Sequence, residues 1–195
     1  MFFALVLAVG AVSSISLFTD RLEKALLVET KEFLGGDLKF ESNDLIEDQA
    51  YLEIEDLNVK KSEMVLFASM LSSGEKLQLA SIKAVDDNYP LIGGIEIKSR
   101  SETLYVKQPP DEGEVWLDKR LIDILNLAIG QDVGIGDANF TLSHSIISEP
   151  DRASNSYAFA PKAIINMKDL EKTNVVQPGS RVRFASIYLD SKEKI

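Results

Sequence analysis

Hydrophobic positions change rhythm sharply along this chain. From Phe2 to Phe18 the sequence reads FFALVLAVGAVSSISLF, about 17 residues without a charged side chain. An apolar run of this kind predicts a helix that is hydrophobic all round, at the lower limit of length for crossing a bilayer. Past Asp20 the pattern becomes one-sided: Leu22, Ala25, Leu26, Thr30, Phe33 and Leu34 recur at helical spacing up to Gly35-Gly36, where a glycine C-cap would end a helix. The prediction is one long helix that leaves the membrane near Asp20 and continues as a stalk of about 15 residues, some 22 Å long. The alternatives are a buried core helix and a cleaved signal peptide, since Gly10-Ala11-Val12-Ser13 could imitate a small-residue cleavage site. Against a signal peptide, only Met1 precedes the apolar run where a basic segment is expected. Asp20, Arg21, Glu23 and Lys24 cancel, so charge does not orient the helix.

After Gly36 the rhythm shortens to strands. Leu38 to Ser42 alternates; Asn43 or Asp44 can cap a helix carrying Ile46, Ala50, Ile54 and Leu57. Met64 to Leu71 and Lys76 to Val85 read as two strands joined at Ser72-Ser73-Gly74-Glu75. Tyr89-Pro90-Leu91-Ile92-Gly93-Gly94 and Lys107 to Gly113 are turn-rich. Glu114 to Leu117 predicts a strand, Asp118 a helix cap, and Leu121, Ile124, Leu125 and Ala128 a buried helical stripe. Val133 to Ile135 and Phe140 to Ile147 predict strands about Gly136-Asp137, and Glu149-Pro150-Asp151-Arg152 closes that segment. Ser156 to Ala160 predicts a further strand, Pro161 a first helical position, Asn166 a cap, and Ser180 to Leu189 a last strand. The class is α+β: a transmembrane and stalk helix followed by a two-lobed domain.

Composition narrows the function more than the fold. The 195 residues are 45% hydrophobic and 27% charged, which excludes wholesale disorder. A net charge of −10 without a basic run argues against nucleic acid as a partner. No cysteine is present, so disulfides, zinc ribbons, iron–sulfur clusters and thiol nucleophiles are excluded.

The search for catalytic chemistry yields little. His144, flanked by Ser143 and Ser145, has no nucleophile elbow to serve. Asp86-Asp87-Asn88 lacks calcium-loop spacing and reads as a solvated strand end. Gly134-Ile135-Gly136 lacks the third glycine of a dinucleotide loop, and no phosphate-binding P-loop occurs. Asp111, Glu112 and Glu114 could supply two carboxylates by chance alone, and Trp116 and Phe184 read as core. The expectation is a chain that is not an enzyme, with no catalytic, metal-binding or cofactor-binding residues of its own.

Several segments together resemble the FtsX-like, MacB-related ABC transporter permeases, most closely the YbbP-type branch. They are the apolar helix and stalk, the Tyr89 to Gly94 turn, Gly113-Glu114-Val115-Trp116-Leu117, Leu127 to Val133, Glu149-Pro150-Asp151-Arg152, Phe159-Ala160-Pro161 and Gln177-Pro178-Gly179-Ser180-Arg181-Val182. The resemblance implies a bacterial inner-membrane protein whose bulk is extracytoplasmic or periplasmic. It implies a porter-like α/β lobe (37–108 and 153–195), an inserted β-rich lobe (109–152), and residues 1–36 as membrane helix and stalk. Implied partners are a separate cytoplasmic ABC ATPase that binds the ATP, a second permease copy, and a periplasmic protein or lipid-linked substrate. Implied function is export or extraction of a substrate; a membrane-anchored binding module without transport is the alternative. Such permeases have at least four hydrophobic segments, and this chain has one, so it is expected to be the first helix and first extracytoplasmic domain of a longer permease. Tyr89, Pro90, Gly93, Gly94, Glu149 and Pro150 are the expected architectural turns between the lobes.

Overall fold

The computed structural model describes residues 2–43, 59–99, 102–151, 160–177 and 179–190. The helix expected through Ile46 and Leu57 lies outside them, as does the strand expected from Ser156, except for Ala160.

Helix α1 (Phe2–Leu34) is one uninterrupted rod of 33 residues, about 50 Å at 1.5 Å per residue. Two of its threonines bond back to the helix backbone: Thr19 Oγ1 donates to the Ile15 carbonyl at 3.0 Å and Thr30 Oγ1 to that of Leu26 at 2.7 Å. It stops where the glycines predict, with Gly35 at φ +76° and its N–H donating to the Lys31 carbonyl at 2.8 Å. Among the described residues it alone is long and apolar enough to cross a membrane.

The rest is a mixed sheet built from β1 (Leu38–Ser42), β2 (Val59–Ser73), β3 (Lys76–Val85), β4 (Ile95–Ser99), β5 (Glu102–Val106), β6 (Glu114–Asp118), β7 (Asp132–Ile135), β8 (Ala138–Ser148), β9 (Lys162–Asn166) and β10 (Val182–Asp190). Strand order is β1-β10-β2-β3-β9-β6-β8-β4-β5, antiparallel except for β3/β9 and β6/β8. The short β7 pairs with β2 at Leu71↔Ile135 and with β8 at Val133↔Phe140. It thereby closes β2, β3, β9, β6 and β8 into a ring, a small barrel with β1-β10 and β4-β5 as wings. Segment 109–152 supplies β6, β7 and β8, and each pairs with a strand from outside it: β6 with β9, β7 with β2, β8 with β4.

Period-two alternation splits each strand's side chains into two sets, and closure of the ring puts one set inside the barrel and the other outside. Phe67, Leu71, Ala80, Ile82, Ala84, Val115, Leu117, Val133, Ile135, Phe140, Leu142, Ala163 and Ile165 fill the interior. Met64, Leu66, Val85, Trp116 and Ile164 take the alternate positions and pack outside with Tyr89, Ile95, Ile97, Ala185 and Ile187. Helix α2 (Lys119–Leu125) contributes Leu121 and Leu125 to the interior cluster and is capped by the Asp118 carboxylate, which accepts from Arg120 N–H at 2.9 Å.

Two expectations are corrected, and one pair of strands is new. Ile124 and Ala128 are exposed, because α2 ends at Asn126 in a left-handed conformation (φ 56°) and turns Leu127 to the core in their place. Pro161 opens a strand rather than a helix: Ala163, Ile164 and Ile165 are buried on both faces of β9, which lies parallel to β3. Residues 95–99 and 102–106, for which the sequence analysis named no element, pair antiparallel as β4 and β5. Asn166 is a cap as expected, accepting from Lys168 N–H at 3.0 Å at a 3-10 turn.

Candidate functional site

A charged residue in the middle of a buried strand must find partners, because an isolated ammonium in a low-dielectric interior is too costly. Strand β3 runs Ala80-Ser81-Ile82-Lys83-Ala84-Val85, and alternation places Lys83 on the barrel's outer surface beside Val85, only 5% exposed. Its Nζ donates to Glu149 Oε2 at 2.7 Å, to Asp151 Oδ2 and Oδ1 at 3.1 and 3.2 Å, and to the Tyr89 hydroxyl at 3.3 Å. The Tyr89 hydroxyl donates in turn to Asp151 Oδ1 at 2.5 Å. Parallel β9 brings Lys162 to the same face, opposite Ser81, where it bonds the other oxygen of Glu149.

Burial by itself would discharge Lys83, yet the Asp151 and Glu149 carboxylates outweigh it and hold the amine protonated well above the usual lysine range. Burial likewise opposes ionisation of Glu149, but Lys83 and Lys162 keep its carboxyl below the ordinary glutamate value. For the Tyr89 phenol, burial and then the Asp151 and Glu149 charges act together and push it well up.

The stalk ends on this cluster. A Cβ on Gly35 would lie 2.8 Å from Asp151 Cβ, and one on Gly36 would strike Ile187 and the Tyr188 carbonyl. Only glycine allows that approach. The chain is then pinned to β10: Asp37 N–H donates to the Tyr188 carbonyl, and Asp190 N–H to Asp37 Oδ2, both at 2.9 Å. The bond from Asp190 is the main reason the Asp37 carboxyl titrates below its usual value, and Lys31, 2.9 Å away, adds to it. Beside the junction opens a cleft of about 340 Å³, walled by Glu29 and Phe33 of the stalk on one side and by Gly93, Gly94, Tyr105, Ser148, Glu149 and Pro150 on the other.

The two turns named from the sequence therefore meet. Gly93, Gly94, Glu149 and Pro150 line one cleft, and Tyr89, which precedes a cis Pro90, reaches Asp151 behind it. Gly94 lies under the Tyr105 ring, where a Cβ would come within 2.6 Å. Sequence reasoning missed Lys83, Asp151 as a buried ligand, Lys162 and Gly35. The available signal was Lys83 itself, a charge set between Ile82 and Ala84 in the most apolar stretch of its strand.

The remaining candidates lie elsewhere. His144 is half-buried and packs edge-on against Trp116 at 5.6 Å. Asp86 ties strands together, accepting from Ser62 Oγ at 2.7 Å and Glu63 N–H at 2.9 Å, while Asp87 pairs with Lys168 at the surface. Gly134-Ile135-Gly136 is β7 and its hairpin turn. Asp111 and Glu112 are exposed, Glu114 is half-buried, Trp116 is buried and Phe184 packs on the interior cluster. No group of three or more His, Asp or Glu side chains converges as a metal site among the described residues.

Comparison with known proteins bears out the resemblance read from the motifs. The chain is 37% identical over 180 residues, 92% of its length, to the ABC transporter permease YbbP of Escherichia coli (strain K12). It spans 22% of that relative's length. No protein-family model matches. Among solved structures, the periplasmic region of MacB from Actinobacillus actinomycetemcomitans superposes with a TM-score of 0.52 at 13% identity, over 85% of this chain and 80% of that one; it shares the fold. The extracellular domain of the transporter YknZ from Gram-positive bacteria gives 0.49 at 10% identity, over 79% and 83%.

Proposed function

From a chain that resembles an ABC transporter permease over nearly all its length and has the fold of a MacB periplasmic region, we propose an extracytoplasmic permease domain anchored by its own first membrane helix. In this reading α1 crosses the inner membrane and its last turns carry displacement into the sheet, while ATP is bound and hydrolysed by a separate cytoplasmic ATPase. The domain does no covalent chemistry; it offers surfaces to a second permease copy and to a substrate or periplasmic protein. Segment 109–152 would act as a lobe inserted in the porter-like part.

One observation carries the proposal: an apolar helix long enough to cross a membrane, with that stretch left unburied by the protein, continues without a break into glycines seated on the sheet. Lipid is the solvent that such a surface requires, and an unbroken helix resists shortening.

The test is expression in bacterial membranes followed by carbonate extraction, mass determination of the N-terminus and protease treatment of spheroplasts. Retention of an uncut chain that is digested from outside supports the proposal. A soluble product starting beyond about Ser16, as signal-peptide cleavage would give, overturns it. The coupling claim is tested separately by co-purification of an ABC ATPase with the full-length permease that contains this segment; no associated ATPase removes that part.

A further inference from the structure

We propose that the cluster of Lys83, Glu149, Asp151 and Tyr89 is a two-position latch that fixes the stalk to the barrel, and that residues 149–151 are its moving jaw. The proposal rests on the reading of α1 as a stalk and adds the device that holds or releases it.

Three facts of placement combine. Lys83 and Lys162 stand on β3 and β9, adjacent central strands paired over five residues, and so form the fixed side. Glu149 and Asp151 stand beyond the end of β8, where the chain leaves the sheet, with Asp151 held at φ 55°. A Cβ on Gly35, the first residue past the stalk, would lie 2.8 Å from Asp151 Cβ and 3.2 Å from Ile187 Cδ1, so a displaced stalk bears directly on the jaw as well as on β10.

A buried ion cluster does not stretch gradually. Moving the carboxylates an ångström or two from Lys83 without hydrating them leaves unpaired charge in a dry site, which is more costly than either full contact or full hydration. Glu149 lines the 340 Å³ cleft, so water has an entrance at the jaw. The two stable positions are therefore closed and dry, with the stalk seated, or open and wet, with the jaw withdrawn toward the cleft and the stalk released. Packed elements with two discrete arrangements are what convert small displacements into defined changes of state. Coupling of this kind is reciprocal, so disturbing the stalk must open the cluster and disturbing the cluster must free the stalk.

The experiment uses the whole chain in detergent or nanodiscs. Gly35→Ala puts a methyl group against Asp151 from the stalk side without altering a charge. Lys83 acetylation by an amine reagent is read by mass spectrometry against the exposed Lys119, and hydrogen exchange of β9 amides reports whether the barrel stays folded. The expected result is about tenfold faster labelling of Lys83 with β9 exchange unchanged, the sign of local rather than global opening. Labelling that is unchanged, or that rises only together with β9 exchange, overturns the latch. Should Gly35→Ala fail to fold, Glu149→Gln is read by the distance between spin labels at Glu23→Cys and Lys98→Cys, in a chain that has no other cysteine. Two distance populations where the unmodified cluster gives one support the latch; a single unchanged distance overturns it. Neither readout involves transport or an ATPase, so failure of the permease reading leaves these outcomes standing, and the reverse also holds.

Discussion

The inside and the outside of the barrel are made by the same strands and solve opposite problems. Inside, Ile82 and Ala84 of β3 meet Val115, Leu117, Ala163 and Ile165 in a dry apolar cluster. Outside, one residue along, Lys83 is also buried yet surrounded by carboxylates, a phenol and a second lysine. The interior gains stability from area removed from water and is indifferent to pH. The exterior cluster gains little net stability from its ion pairs, since desolvation offsets attraction, but it is intolerant of losing any one member. Stability resides inside, and responsiveness outside, where the stalk is seated.

The most severe way to break this contrast is Lys83→Met, which leaves buried carboxylates short of a cation and is expected to cost about 3–5 kcal/mol in chemical denaturation. Adding Asp151→Asn should recover part of the loss, because it removes a buried carboxylate that has lost the Lys83 charge; no recovery would mean that Lys83 matters through packing alone. Ile82→Ala, facing inward next door, should cost about 3 kcal/mol by cavity formation, and Asp151→Asn should do nothing to rescue it.

Acidity sharpens the same comparison. The lysines depress the Glu149 carboxyl, so its contribution is present above the ordinary glutamate range, about pH 4.3, and is lost as pH falls through the depressed value. Lys83 and Tyr89 are raised, so theirs is complete below about pH 10 and fades at higher pH. Denaturation midpoints should therefore show the gap between wild type and Lys83→Met narrowing below about pH 4, while the gap for Ile82→Ala stays constant. A constant gap for both would refute the electrostatic account.

Smaller effects test local elements outside the contrast. Asp118→Ala removes the α2 cap and should cost about 1 kcal/mol by thermal or chemical denaturation. Lys119→Ala breaks an exposed pair with Asp123 four residues on and should cost at most about 0.5 kcal/mol. A loss at Lys119 comparable to that at Lys83 would erase the distinction between buried and exposed ion pairs.

Much of the local structure was legible in the sequence. The glycine stop after Leu34, the Gly136-Asp137 hairpin turn and the Asp118 and Asn166 caps each depend on a few neighbouring residues, and each is where the pattern put it; the turn expected at Ser72-Ser73-Gly74-Glu75 narrows to Gly74-Glu75, since Ser72 and Ser73 still pair in the sheet. Pro161 was misread because a proline at a first helical position and one just before a strand look alike locally; burial of β9 on both faces decided between them. The site was half legible. Gly93, Gly94, Glu149 and Pro150 were marked as turns, but that the two turns share a cleft is a fact of the sheet and not of either turn.

The sequence by itself determined an apolar helix continuous with a stalk, where that stalk stops, the α+β class and the absence of cysteine chemistry, because these follow from composition and short-range periodicity. Tertiary structure decided which face of β3 is interior and which partners Lys83 finds. Apolar residues occupy both alternate sets of the central strands, so period-two patterning cannot tell inside from outside; only closure of the ring by β7 does. Lys83 and Glu149 are 66 residues apart, and what joins them is the register of β3 with β9 and the exit of the chain from β8.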